Sequence, residues 1–143
     1  MRSVEIRSER FPLARAFTIS RGSKTEAEVI VCTIREGICA GHGECVPYAR
    51  YGETVASVRS AIEAIGEEIA AGMDRQSLLR AMPAGAARNA VDCALWDLEA
   101  KLSGRPAHEI AGESTMRPLT TAVTISLGSP EEMAEEARTR ADR

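Results

Sequence analysis

The residues best suited to binding an acidic group lie in a polar stretch near the start of the chain, residues 17–24, which reads FTISRGSK. Two cations, Arg21 and Lys24, flank a glycine and a serine there. The planar guanidinium of arginine matches a carboxylate with two parallel hydrogen bonds, so Arg21 could clamp an acidic substrate. An arginine in a loop is more commonly a solvated surface group, and this pattern alone does not separate the two interpretations.

A second polar stretch, residues 41–53, reads GHGECVPYARYGE and places His42 and Glu44 on one face of a strand. A metal site would need a further ligand on that face, but position 46 is valine. We therefore expect His42 to be a packed or surface group. The turn-rich end of the stretch carries Tyr48 and Tyr51, which we expect to form the wall of a cavity.

The other polar candidates do not form a catalytic set. Asp92 and Asp97 are five residues apart on a predicted helix, which is a poor spacing for a shared metal and favours structural hydrogen bonding. Thr124 and Ser126 lie near the end of an apolar segment and would face a ligand if that segment were a strand of a β/α barrel. A β-branched residue that simply fills a strand is the alternative for Thr124. With two histidines in the chain, no nucleophile and base can be paired, so we predict no catalytic base.

Composition excludes several classes of function. The net charge is −3 and the aromatic residues are two Phe, two Tyr and one Trp, so we expect no nucleic-acid partner. No segment has the length of a membrane span, and the first residues lack the apolar core of a signal peptide, so we predict a cytoplasmic protein with no membrane contact. None of the four cysteines stands in C-x-x-C spacing, and we expect reduced thiols that act as small core residues.

The elements that would position these residues form an α+β fold. Residues 27–35 are β-branched and apolar, which predicts a central strand that pairs with residues 4–8 and, through a Gly37 hairpin, with residues 38–45. Residues 11–24 are predicted to be a long loop. Apolar residues at helical spacing predict a helix from residue 54 to near Gly72, a short helix capped by Asp74, and a third helix that ends at Gly104. Three antiparallel strands followed by three helices are expected.

The last 30 residues follow a different pattern. Residues 118–127 predict an apolar strand, and Ser129, Pro130 and Glu132 form a helix-start signal directly after it. A buried strand of this kind needs neighbours on both sides, so we expect the chain to be the front part of a longer protein. The alternative is an edge strand with a frayed terminal helix.

Residues 17–27, 43–53 and 83–98 together resemble the N-terminal part of bacterial dipeptide epimerases of the L-Ala-D/L-Glu type. These enzymes belong to the muconate-lactonizing subgroup of the enolase superfamily. The resemblance implies an α+β capping domain over residues 1–113. It also implies the first strand and helix of an incomplete β/α barrel over residues 114–143.

The resemblance also implies roles for single residues. Arg21 corresponds to an arginine that meets a substrate carboxylate, Phe17 and Ile19 to positions in a specificity-setting cap loop, and Thr124 to a substrate-contacting threonine of the first barrel strand. Tyr48 lies in the second cap loop, which walls the cavity. The substrate implied is a small dipeptide such as L-Ala-L-Glu.

The implied reaction removes the α-proton of the C-terminal residue of the dipeptide and returns it on the opposite face, with two lysines and Mg²⁺. None of those lysines or metal ligands falls in this chain, so we expect it to be inactive alone. We also expect the whole enzyme to be a homo-oligomer. Muconate cycloisomerases and o-succinylbenzoate synthases share the cap and remain alternatives. A stand-alone carboxylate-binding module is a third.

Overall fold

The computed structural model describes residues 1–141. Three strands, β1 (Arg2–Ile19), β2 (Gly22–Glu36) and β3 (Cys39–Cys45), form an antiparallel sheet in the order β1-β2-β3. The helices that follow β3 are a 3₁₀ helix (Ala49–Tyr51), α1 (Val55–Glu63), α2 (Gly66–Ala70), α3 (Arg75–Ala81), α4 (Ala86–Ser103), α5 (Ala107–Ile110) and α6 (Pro130–Ala141). The predicted three-stranded sheet followed by helices is confirmed.

The chain folds into two compact units, which we describe separately. Unit 1 comprises residues 1–10 and 28–116. Unit 2 comprises residues 11–27, which are the tip of the β1–β2 hairpin, together with residues 117–143.

The core of unit 1 lies between β2 and the helices. Ile30, Cys32 and Ile34 alternate along β2 and are fully buried, as the β-branched run predicts. They pack with apolar side chains of α1, α2, α3 and α4, namely Val58, Ile62, Ile69, Leu78, Val91, Leu95 and Leu98. The β2–β3 hairpin pairs Ile30 with Cys45 and Glu36 with Cys39, and Gly37 turns it with φ 58°.

Two glycines of β3 allow its backbone to touch α4. A Cβ on Gly41 would lie 2.1 Å from the carbonyl oxygen of Ala94, and one on Gly43 would lie 1.9 Å from that of Ala90. Only hydrogen fits in that space. The backbone of β3 therefore lies directly against the α4 backbone at Ala90 and Ala94.

The outer edge of β3 is covered by α4 rather than left open. Three α4 side chains reach main-chain groups of alternate β3 residues: Lys101 Nζ donates to Ala40 O (2.7 Å), His42 N–H donates to Asp97 Oδ2 (2.8 Å), and Asn89 Nδ2 donates to Glu44 O (3.2 Å). An unpaired edge strand is a template for unwanted strand addition. These contacts give Asp97 the structural role that its spacing predicts.

The helices differ from the prediction, which did not include the 3₁₀ helix (Ala49–Tyr51) or α5 (Ala107–Ile110). The continuous helix expected to end near Gly72 is wrong, because α1 ends at Glu63 and α2 begins at Gly66. Thr54 starts α1 with a capping box to Ser57, and Asp74 accepts the Ser77 N–H at 2.7 Å to start α3 as predicted.

Unit 2 corrects two expectations. Residues 11–24 are not a loop: β1 runs to Ile19 and β2 begins at Gly22, so a two-residue turn separates them. The strand predicted at residues 118–127 is wrong: the part of the chain that the structure describes has no strand there. The helix-start signal is confirmed, since Ser129 N–H donates to Glu132 Oε2 (2.8 Å) and Glu132 N–H donates to Ser129 Oγ (3.2 Å).

Candidate functional site

The hairpin tip of unit 2 presents three of the predicted binding residues. Phe17 and Ile19 are partly buried and, being two apart on β1, share one face of the strand. Arg21 is exposed in the turn, and Gly22 follows it with φ 138°, a conformation that favours glycine. The Thr18 and Ser23 hydroxyls are hydrogen-bonded at 2.9 Å across the hairpin, which fixes the two strands around Arg21.

Hydrogen bonds made by Ser126 and Leu127 tie the segment that carries Thr124 to the same hairpin. Thr18 N–H donates to Ser126 Oγ (2.9 Å), and Leu127 N–H donates to Thr18 O (2.8 Å). Thr124 lies two residues before Ser126 and is exposed. Unit 2 therefore contains Thr124 together with the three hairpin residues. The Ser126 hydroxyl, a second candidate in the sequence, is used to hold the segment.

Unit 2 also has a cleft of about 660 Å³ along α6. Its lining is mainly acidic: Arg15, Glu131, Glu132, Glu135, Glu136, Thr139 and Arg140. Both arginines form ion pairs with Glu136. The surplus of carboxylates disfavours binding of an anionic ligand here.

The fifth predicted residue, Tyr48, lies in unit 1 in a loop formed by residues 46–53. The 3₁₀ helix lies in this loop, and Gly52 ends the helix with φ 75°. The rings of Tyr48 and Tyr51 are 5.7 Å apart and tilted by 46°. Both line a cleft of about 480 Å³, together with Val46, Glu53 and residues 84–86.

Glu53 is a polar residue of this cleft that sequence reasoning missed. Its carboxylate accepts the Tyr48 N–H at 3.0 Å and the Ala86 N–H at 2.6 Å. No sequence pattern connects Glu53 with Ala86, which lies 33 residues further along the chain. Both oxygens are thereby engaged by main-chain donors.

Residues 1–141 contain no cluster of three or more His, Cys, Asp or Glu side chains that could hold a metal ion. His42 Nδ1 lies 3.1 Å from the Thr33 hydroxyl, and the main-chain N–H of His42 donates to Asp97 Oδ2. The residues described thus do not fit a Mg²⁺ site, and no catalytic step through a metal is derived from them.

The two buried cysteines, Cys32 and Cys45, do not supply a reactive nucleophile. All four are free thiols. Burial, with a smaller contribution from Cys45, raises the pKa of Cys32 to about 12, and burial raises the pKa of Cys45 to about 11. The predicted core role holds for these two residues and is wrong for Cys93, which is exposed. At neutral pH both buried thiols are protonated and unreactive.

The class of protein follows from the family match of the cap-like fold. Residues 1–112 match the mandelate racemase / muconate lactonizing enzyme N-terminal domain, and the chain belongs to this family. No helix among residues 1–141 combines the length and apolarity that crossing a membrane requires.

The curated relatives of the chain are epimerases and a racemase. The chain is 42% identical to L-Ala-D/L-Glu epimerase of Escherichia coli over 139 residues, which is 97% of this chain but only 43% of that enzyme. It is 52% identical, with a TM-score of 0.92, to an enolase family member from Agrobacterium tumefaciens with homology to dipeptide epimerases, whose crystal structure holds sodium and L-Ala-L-Glu with an ordered loop. That match covers 100% of this chain and 44% of that one.

A third relative carries a different dipeptide. A dipeptide epimerase from Methylococcus capsulatus, complexed with Mg and L-Arg-D-Lys, is 31% identical with a TM-score of 0.80, over 98% of this chain and 42% of its own. The chain therefore spans less than half the length of each of these relatives.

Proposed function

We propose that this chain is the substrate-capping part of a Mg²⁺-dependent dipeptide epimerase that acts on L-Ala-L-Glu and similar dipeptides. The observation that carries the proposal is its 52% identity, along the whole chain, to a protein crystallised with L-Ala-L-Glu. An exposed arginine at the end of a fixed hairpin is chemically suited to the acidic side chain of that dipeptide.

In this proposal the chain binds and orients the dipeptide, and supplies no base. Arg21 binds the side-chain carboxylate of the glutamyl residue through two parallel hydrogen bonds. Phe17 and Ile19 offer apolar contact, and Thr124 offers a hydroxyl that can donate to a substrate oxygen. Tyr48 contributes an aromatic wall from the loop of residues 46–53.

The reaction removes the α-proton of the C-terminal residue and returns it on the opposite face. We place the two bases and the ligands of Mg²⁺ outside this chain. For the metal ligands this is supported by residues 1–141, which hold no cluster of three or more His, Cys, Asp or Glu side chains that could bind the ion. We also propose that residues 1–113 are the cap, that residues 114–143 begin the barrel, and that the chain alone does not turn over substrate.

A chimera tests the proposal. This chain replaces the matching N-terminal 43% of the E. coli L-Ala-D/L-Glu epimerase, and the rates of epimerisation of L-Ala-L-Glu and L-Ala-L-Leu are measured. We expect the chimera to prefer L-Ala-L-Glu. Arg21→Met should lower kcat/KM for L-Ala-L-Glu by roughly 10- to 100-fold, because a charged hydrogen bond is lost, and should change that for L-Ala-L-Leu little.

Lys24→Met is the matched control, because Lys24 is an exposed cation of the same hairpin. It should leave the preference unchanged. Equal effects of the two substitutions, or an Arg21→Met effect that is the same for both dipeptides, would show that Arg21 does not read the substrate carboxylate.

A further inference from the structure

One side chain, that of Glu53, joins two main-chain groups: Tyr48 N–H within the loop of residues 46–53 and Ala86 N–H at the start of α4. Glu53 N–H donates to Tyr48 O (3.4 Å), and the Glu53 carboxylate accepts the Tyr48 N–H through Oε2 (3.0 Å). Glu53 therefore binds both the main-chain N–H and the main-chain oxygen of Tyr48. The second oxygen, Oε1, accepts the Ala86 N–H at 2.6 Å and joins the loop to the first turn of α4.

The start of α4 needs an acceptor from outside the helix. Its N-cap residue is Gly85, which has no side chain to cap the helix, and its first turn contains no acidic residue. The first N–H groups of a helix are unpaired within the helix and carry partial positive charge, so a carboxylate is stabilised there. Glu53 supplies that carboxylate from another element.

Gly85 provides the room for this contact. A Cβ at Gly85 would lie 2.9 Å from Glu53 Oε1, and that is the one atom it would meet within 4 Å. An alanine at position 85 would therefore push the carboxylate away from Ala86 without meeting any backbone atom. This makes Gly85 an independent handle on the same contact.

We propose that Glu53 is a positioning residue that locks the loop of residues 46–53 to the N-terminus of α4 and so fixes the Tyr48 wall of the cleft for substrate. Glu53 acts neither as a base nor as a metal ligand, because both oxygens are held by main-chain N–H groups. Identifying the occupant of the cleft as a dipeptide rests on the proposed function. The lock itself does not.

The lock is tested by amide hydrogen exchange, resolved by NMR, on the whole chain. Glu53→Gln removes the charge and one acceptor, and we expect the exchange of the Tyr48 and Ala86 amides to quicken by about 10-fold or more while the centre of α4 is unchanged. Gly85→Ala should quicken the same two amides to a smaller extent. Glu53→Asp, which keeps the charge on a shorter side chain, should lie between Glu53→Gln and the unsubstituted chain.

Glu67→Gln is the matched control, because Glu67 is an exposed glutamate in the first turn of another helix, α2. It removes the same charge and should leave both amides unchanged. Unchanged Tyr48 and Ala86 amides in Glu53→Gln, or quickening of the whole of unit 1 to the same extent, would overturn the lock whatever the enzyme does.

The role toward substrate is tested in the active chimera. Because the loop would be loosened without touching the reacting atoms, Glu53→Gln should raise KM for L-Ala-L-Glu by about 5- to 10-fold and leave kcat within about 2-fold. An unchanged KM, or an equal fall in kcat and kcat/KM, would overturn the positioning role. A chimera that is folded but inactive before any substitution would overturn the proposed function, and the exchange data would still decide the lock.

Discussion

Asp97 shows how a side chain with the appearance of a catalytic acid is used for structure. Its carboxylate accepts the His42 N–H of β3 at 2.8 Å and the Lys101 ammonium at 2.7 Å. Partial burial acts to raise the pKa of Asp97, but the hydrogen bonds from Lys101 and His42 outweigh it and hold the pKa below its usual value. Asp97 is therefore ionised at neutral pH, and its Oδ2 accepts both hydrogen bonds.

This arrangement predicts a pH-dependent contribution to stability. Because the pKa is lower in the folded chain, the contribution is present above the unfolded-state value of about 4 and is lost as the pH falls through the folded value. Asp97→Asn should lower the free energy of unfolding by about 1 kcal/mol at pH 7, as expected for loss of a charge-assisted hydrogen bond at a partly exposed site. The difference from the unsubstituted chain should shrink in urea unfolding below about pH 4.

Asp92→Asn on the same helix is the control and should change stability little at either pH. If Asp97→Asn remained as destabilising at pH 3 as at pH 7, the charge of Asp97 would not be the cause.

At this scale the sequence predicts some roles and misses others for a physical reason. The spacing of Asp92 and Asp97 favoured structural hydrogen bonding, and Asp97 makes such bonds with His42 and Lys101. Glu53 was missed because its partners are main-chain N–H groups, which every non-proline residue has, so no residue type marks them. The proposed substrate contacts of Arg21 and Thr124 remain predictions.

At the scale of elements, the contact between β3 and α4 determines the geometry of unit 1. Gly41 and Gly43 lie against main-chain atoms of Ala90, Ala94 and Leu98. Backbone atoms in a packed helix cannot yield as a flexible side chain can, so any side chain at these positions would separate the helix from the sheet.

Gly43→Ala should destabilise the chain by about 3 kcal/mol or more, since its Cβ would overlap the Ala90 carbonyl oxygen. Gly66→Ala makes the same chemical change at the start of α2, where a Cβ would meet nothing within 4 Å, and should be neutral or stabilising by up to about 1 kcal/mol. Chemical denaturation of the two variants and the unsubstituted chain measures this. Equal stability of the two variants would contradict the close approach of β3 and α4.

Elements stabilised by local signals were predicted well, and elements that depend on distant partners were not. Capping residues such as Asp74 and Ser129 identify helix starts because their hydrogen-bond partners lie only three residues further along the chain. Periodicity also identified β2, but it could not find the break at Gly66, because Val58, Ile62 and Ile69 keep facing the core across it. Residues 118–127 have the composition of a strand but form none. Residues 11–24 have little strand character, yet β1 and β2 extend into them and form a hairpin.

At the scale of the whole molecule, the two units differ in how their apolar side chains are covered. Unit 1 buries a continuous core. In unit 2, Leu119, Val123 and Leu127 remain 90%, 54% and 52% exposed. Several large apolar side chains exposed close together in one segment are typical of a surface that packs against further protein structure. This agrees with the proposed role of residues 114–143 as the beginning of a barrel.

Hydrogen exchange of the chain should therefore proceed in two stages. We expect the amides of residues 90–98 in α4 to exchange most slowly, since they belong to the core helix, and those of residues 117–125 to exchange first, since no strand pairs with them. The experiment is done at a concentration where light scattering gives a monomer. Strong protection of residues 119–125 in that monomer would mean that a strand forms there after all.

The most direct test of the proposed function is exchange of the substrate α-proton by the chimera in D₂O. Proton NMR of L-Ala-L-Glu follows the α-proton of the glutamyl residue, and the same spectra resolve L-Ala-D-Glu as it forms. We expect the α-proton signal to disappear while the second diastereomer appears, at a rate that falls in the Arg21→Met chimera and holds in the Lys24→Met chimera. A chimera that is folded by circular dichroism and binds Mg²⁺, yet neither exchanges the α-proton nor forms L-Ala-D-Glu, would contradict the assignment of this chain as the cap of a dipeptide epimerase.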